Sequence, residues 1–90
     1  MWALEDFSEE IGATQLVLGS HEWPRSRTPL PSEAVSAVMP KGSCVVYLSS
    51  TWHGSGGNVT ASQRMGLNID YNSAFLRQEE NQYLANPPEV

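Results

Sequence analysis

The apolar residues of this chain fall into short runs and alternations, a pattern typical of strands rather than helices. The stretches "MWALEDF" at 1–7 and "TQLVLG" at 14–19 each predict a short strand. The run "CVVYL" at 44–48 is apolar at successive positions, so it predicts a strand that is buried on both faces. In "RMGLNIDY" at 64–71 apolar and polar residues alternate, which predicts a half-buried strand.

Turn and loop residues separate these strands. Gly12 in "SEEIGA" permits an unusual backbone angle, and Pro40 with Gly42 predicts a turn before "CVVYL". The stretch "SHEWPRSRTPLPSE" at 20–33 contains three prolines, so it predicts a long loop. We expect a short turn or strand in "SEAVSAVMP", and one or two helical turns from Arg77 to Leu84 in the tail.

The pattern as a whole predicts a single all-β domain over residues 1–90 with a short C-terminal helical tail. So few strands leave unpaired sheet edges and one uncovered face. Pairing between chains would cover both, so we expect a homodimer.

Composition narrows the function classes. The formal net charge of −5 and the five scattered basic residues argue against binding to nucleic acid or to an anionic membrane. The N-terminus is acidic and no stretch is apolar enough for a signal peptide or a membrane helix, so a cytoplasmic location is expected. The single cysteine, Cys44, lies within "CVVYL" and is expected to be a buried, inert thiol.

Two residues near the clearest strand could carry chemistry. His53 follows that strand, and a neutral imidazole is a common ligand of transition metals, although a structural role is the more frequent one. Arg64 follows the glycine-rich loop and could bind a carboxylate, or it could form an ion pair with Asp70 or Glu5. His21 is expected to be a hydrogen-bonded structural histidine in its loop.

Three stretches resemble, in this order, the C-terminal half of the phytanoyl-CoA dioxygenase family: "ALEDFSEEIGATQLVLGSHEWP", "MPKGSCVVYLSSTWHGSGGNVTASQRMGLNIDY" and "LRQEENQYLANPPEV". The resemblance implies a partial double-stranded β-helix, that is, a truncated jelly roll of the cupin-like kind. It also implies Fe(II) and 2-oxoglutarate as the family's cofactors. By this resemblance His53 matches the second iron-binding histidine, and Arg64 matches the arginine that binds the distal carboxylate of 2-oxoglutarate.

The chain departs from the family pattern because it contains no H-x-D motif, which supplies the other iron ligands. We therefore assign no catalytic residue, and expect a free-standing fragment without dioxygenase activity of its own. Fe(II) and 2-oxoglutarate should not bind tightly to the isolated chain, whereas a small carboxylic acid is a candidate ligand near Arg64.

Two alternatives stay open. One is an active dioxygenase whose metal ligands are completed by a second chain, for example by His21, Glu5 or Asp6. The other is a small β interaction module. The resemblance also predicts that His53 and Arg64 face one concavity, with Trp52 and Tyr71 as candidates for its wall or, alternatively, for ordinary core packing.

Overall fold

The chain forms two small antiparallel sheets joined by turns and irregular segments. The computed structural model describes residues 1–77, 82–86 and 88. Its elements are β1 (Trp2–Ala3), β2 (Thr14–Val17), β3 (Ala34–Ser36), β4 (His53–Ser55), β5 (Gly66–Leu67) and α1 (Gln82–Ala85). The structure is β-rich with little helix, so the β character of the fold prediction is confirmed.

The larger sheet has the order β3-β2-β4, with β2 in the centre. Leu16 of β2 lies opposite Val35 on one side and His53 on the other. Thr14 lies opposite Ser55. Because directly opposed residues of antiparallel strands point to the same face, these five side chains share one face of the sheet.

The smaller sheet pairs β1 with β5 and is extended by a single bridge between Trp2 and Cys44. Its inner side holds the buried cluster of Ala3, Phe7 and Ala13, against which Met1 and Met39 pack.

The prediction for residues 14–19 is confirmed by β2, and β1 and β3 fall within two further predicted stretches. The turn predictions are also confirmed. Gly12 has a φ of 81° and Gly42 a φ of 86°, which are left-handed values that favour glycine.

The predicted strand at 44–48 is wrong. Only Cys44 forms a bridge, and Val46 is 89% exposed, so neither face is buried as expected. The physical reason is the lack of neighbours. Val45 exchanges hydrogen bonds with Met1, at 3.0 Å in both directions, and the described residues provide no backbone acceptor for the N–H groups of residues 46–50. Cys44 is exposed, so its predicted burial is wrong as well.

The predicted strand at 64–71 is reduced to Gly66–Leu67. The apolar residues of this stretch are between 43% and 89% exposed, so it is not half-buried: Met65, Leu67, Ile69 and Tyr71. The predicted helical turns from Arg77 to Leu84 lie partly outside the described residues. Within the described part, the single turn of α1 overlaps the end of this prediction. No helix in the described part of the chain has the length and apolar character needed to cross a membrane.

The loop at 20–33 is ordered by side-chain contacts. The guanidinium of Arg27 lies 3.4 Å from the centre of a Trp23 ring, and its Nη2 lies 2.6 Å from Oε1 of Glu33. Glu33 also accepts a hydrogen bond of 2.8 Å from the backbone N–H of Leu30. The three prolines prevent a regular element, and the contacts of Glu33 hold the short 3-10 turn Pro31–Glu33 in place. A second 3-10 turn spans Ser20–Glu22.

Candidate functional site

His53 is the first residue of β4, and its backbone is fixed by pairing with Leu16 of β2. Its Nδ1 lies 2.7 Å from the backbone oxygen of Thr51. A carbonyl oxygen can only accept a hydrogen bond, so Nδ1 carries the proton. In the neutral ring this leaves Nε2 as the free lone pair. The side chain is exposed, so the lone pair of Nε2 is accessible to a metal ion.

Ser20 holds the backbone immediately before His53. Its buried hydroxyl donates a hydrogen bond of 2.6 Å to the carbonyl of Val17 and accepts one of 2.8 Å from the N–H of Trp52. The N–H of Val17 also donates to the carbonyl of Trp52 at 2.9 Å. These bonds connect the end of β2 to the start of β4. Sequence reasoning missed Ser20, although its "GSH" stretch was part of the resemblance.

Arg64 reaches the same sheet from the other end of the glycine-rich loop. Its Nη1 lies 3.5 Å from the hydroxyl of Thr14, and its guanidinium lies 4.8 Å from the centre of the Phe7 ring. The side chain is half-buried. The predicted ion pair with Asp70 or Glu5 is absent within the described residues, where the arginine paired with a carboxylate is Arg27, which contacts Glu33.

The structure therefore brings the two predicted site residues to one face. Thr14 and Leu16 are two positions apart on β2, so they share a face, and His53 lies opposite Leu16. The guanidinium of Arg64 meets Thr14 on that face. A half-buried cation without a carboxylate partner among the described residues is suited to bind an anion.

His53 also borders a groove of about 500 Å³. One wall of the groove contains Tyr47, whose ring centre lies 4.8 Å from that of His53. Asp70 and Tyr71 border it on the other side, and Arg64 is not among its lining residues. Tyr71 thus has a wall position, and at 89% exposure it is not core-packed. Trp52 is 43% exposed and does not line this groove.

The other candidate ligands lie elsewhere. Nε2 of His21 is 3.8 Å from Oε1 of Glu22, a distance too long for the hydrogen bond expected of it. Asp6 accepts a hydrogen bond of 2.7 Å from the N–H of Lys41. Over residues 1–77, 82–86 and 88, no three His, Cys, Asp or Glu side chains come together in a group that could hold a metal ion.

The chain is thus β-rich, and its larger sheet carries an exposed imidazole and a half-buried guanidinium. The comparison with protein families identifies the group. Residues 1–66 match the family model "Phytanoyl-CoA dioxygenase (PhyH)", so the chain belongs to the phytanoyl-CoA dioxygenase family.

The chain is also similar to curated proteins that are named dioxygenases. The chain is 45% identical over 80 residues to dioxygenase olcK of Penicillium canescens, which is 88% of this chain and 26% of the relative. It is 40% identical over 81 residues to dioxygenase swnH2 of Arthroderma benhamiae, with 89% and 26% covered. It is 37% identical over 84 residues to dioxygenase cdmD of Talaromyces verruculosus, which is 90% of this chain and 27% of the relative. The chain spans about a quarter of the length of these relatives. No solved structure matches it.

Proposed function

We propose that this chain forms part of a dioxygenase-type site, in which His53 supplies one iron ligand and Arg64 binds 2-oxoglutarate, and that it has no dioxygenase activity on its own. The observation that carries the proposal is that His53 lies opposite Leu16 and Arg64 reaches Thr14, two residues that share one face of the β3-β2-β4 sheet. The sheet corresponds, in this proposal, to part of a jelly roll.

The described residues fit one iron ligand and do not complete an iron site. Nε2 of His53 is a suitable donor because Nδ1 is held by the Thr51 carbonyl, which fixes the ring orientation. A facial triad for non-haem iron needs a second histidine and a carboxylate. The lack of such a group among the described residues supports weak binding. When bound in a complete site, the iron would supply the chemistry with oxygen.

Arg64 fits the role of an anchor for a small dicarboxylic acid. Its guanidinium can offer two parallel hydrogen bonds to one carboxylate. The Phe7 ring beneath it and the Thr14 hydroxyl beside it hold the guanidinium in place. A small carboxylic acid would therefore bind over β2, on the face that also carries His53.

The anchor is tested by titrating the chain with 2-oxoglutarate and following amide chemical shifts by NMR. We expect shifts around Thr14 and Arg64, and Arg64→Ala should weaken binding by about tenfold or more, since a charge-assisted bidentate contact is lost. The exposed Arg25→Ala is the matched control and should bind as the parent does. Equal loss in both variants would show that Arg64 is not the anchor.

The metal ligand is tested with Co(II), whose paramagnetism reports nearby nuclei. Weak binding centred on His53 should disappear in His53→Ala and persist in His21→Ala. Tight stoichiometric binding of Fe(II) with 2-oxoglutarate, or succinate produced from 2-oxoglutarate by the chain alone, would contradict the proposed lack of activity.

A second candidate is an active oxygenase whose ligands are completed by a second chain. The observation that favours it is that Asp70 lines the same groove as His53, so the chain offers a carboxylate as well as an imidazole to a shared site. We further propose that chains pair through their exposed apolar surface, which sedimentation of the pure chain would test. The two candidates differ in one measurement, because only the second predicts succinate formation that rises with the fraction of dimer and stops on His53→Ala.

A further inference from the structure

The glycine-rich loop, residues 56–63, connects β4 with the second candidate site residue. Two backbone hydrogen bonds attach the first half of this loop to the turn before β2. The N–H of Gly56 donates to the carbonyl of Ala13 at 3.1 Å, and the N–H of Val59 donates to the carbonyl of Glu10 at 2.9 Å. The loop therefore leaves β4 along a defined path.

The side chain of Asn58 closes the second half of the loop. Its Oδ1 accepts two hydrogen bonds of 2.8 Å, one from the backbone N–H of Thr60 and one from the hydroxyl of the same residue. Its Nδ2 donates a hydrogen bond of 2.7 Å to the carbonyl of Ser62. The N–H of Ser62 in turn donates to the hydroxyl of Thr60 at 3.2 Å. These bonds hold residues 58–62 in one turn, and most of them involve the amide of Asn58.

Arg64 follows this turn and has no backbone anchor of its own. Within residues 1–77, 82–86 and 88, neither its N–H nor its carbonyl makes a backbone hydrogen bond. The next anchor after it is the carbonyl of Met65, which accepts a hydrogen bond of 3.1 Å from the N–H of Leu4. The position of Arg64 therefore depends on the segments at either side of it, and the segment before it is the turn at 58–62.

The exposure of this turn indicates what its hydrogen bonds can do. Asn58 and Thr60 are exposed, so water competes for these bonds and they add little to the stability of the whole fold. An asparagine that bonds the backbone two residues further on nevertheless selects one turn conformation from several. The orientation of a guanidinium matters, because two parallel hydrogen bonds to a carboxylate require a defined approach. The turn can therefore influence Arg64 strongly while contributing little to folding.

We propose that Asn58 is a positioning residue for Arg64. By closing the turn at 58–62, it directs the guanidinium onto Thr14 and Phe7, and in this way it sets the affinity for a small carboxylic acid. The effect on affinity rests on the proposed role of Arg64 as the carboxylate anchor, whereas the effect on the position of Arg64 does not. The opposing view is that the pairing of β5 with β1 places Arg64 without help from the turn.

NMR of the 90-residue chain tests the proposal through the ring of Phe7. This ring is buried, and the guanidinium carbon of Arg64 lies over it at 4.8 Å from its centre, so the ring should shift the side-chain signals of Arg64. We expect Asn58→Ala to return these signals towards random-coil values and to weaken 2-oxoglutarate binding about fivefold, the equivalent of one net hydrogen bond. Thr60→Val should act in the same direction, and Thr60→Ser, which keeps the hydroxyl, should resemble the parent. Ser62→Ala is the matched control, because only the backbone of Ser62 takes part in the turn.

The imidazole signals of His53 separate positioning from a general loss of structure. His53 is fixed by β2 before the loop begins, so its signals should stay unchanged in Asn58→Ala. Unmoved Arg64 signals in Asn58→Ala and in Thr60→Val would overturn the proposal. So would equal displacement of the His53 and Arg64 signals, which would indicate that the whole sheet has loosened. A parent chain whose Arg64 signals show the effect of Phe7 but which does not bind 2-oxoglutarate would contradict the carboxylate anchor alone, and the Arg64 signals of the variants would still decide the role of Asn58.

Discussion

The contact between Gly12 and Gly56 fixes the loop after β4 against the turn before β2, and an added methyl group at either position should loosen it. A Cβ on Gly12 would lie 2.7 Å from the carbonyl oxygen of Gly56, and a Cβ on Gly56 would lie 2.7 Å from that of Ala13. Both distances are shorter than real Cβ contacts. The contacted atom is a backbone oxygen in each case, so it cannot move away by a rotamer change as a side-chain atom could.

Four alanine variants separate the free-energy cost of backbone strain from that of the steric contact. Gly19 has a left-handed φ of 74° and open space around it, so Gly19→Ala measures backbone strain alone, about 1 kcal/mol. Gly56→Ala measures the steric contact alone, about 1–3 kcal/mol. Gly12→Ala combines both and should cost about 2–4 kcal/mol. Gly57→Ala has neither and should be nearly neutral.

These differences are large for a chain of this size, whose whole stability should be about 5–13 kcal/mol. Urea denaturation followed by tryptophan fluorescence gives the free energy of unfolding of each variant. A thermal melt checks the order, since each kcal/mol should lower the midpoint by about 4–8 °C. If Gly12→Ala and Gly19→Ala lose the same stability, the close contact between the two loops does not exist in solution.

Three further predictions concern single contacts. Ser20→Ala should cost about 1–3 kcal/mol and shift the NMR signals of His53, because it leaves the Trp52 N–H without its acceptor; the exposed Ser26→Ala should do neither. Hydrogen bonds from its own backbone N–H and from Ser8 lower the pKa of Glu10 below its ordinary value of 4.5, so this contribution to stability is present above that pH and declines as the pH falls below it; an NMR titration of Ser8→Ala should show the pKa moving back up. Arg27→Ala should change the fluorescence of Trp23 while costing less than about 1 kcal/mol, because the pair with Glu33 is partly exposed, and Arg25→Ala should leave the spectrum unchanged.

Local chemistry predicted the turn at Gly12, because the glycine takes a left-handed φ there. Strand composition predicted the strand at 14–17, where the fold supplies partner strands on both sides. The segments at 44–48 and 64–71 have equally strong strand composition, and most of their length is unpaired in the described chain. Strand propensity measures the fit to a pleated surface with neighbours, so it fails where the neighbours are lacking.

The same distinction applies to the candidate site. The residue types of His53 and Arg64 pointed to metal and carboxylate chemistry, and the resemblance assigned their roles. Arg64 lies on the same face as His53 because it contacts Thr14, which comes 50 residues earlier in the chain. No short-range pattern in the sequence reveals the contact between Arg64 and Thr14. Ser20 likewise accepts a hydrogen bond from the backbone N–H of Trp52, which lies 32 residues later in the chain. A serine in a loop carries no signal of burial, so only the fold identifies it as the residue that positions His53.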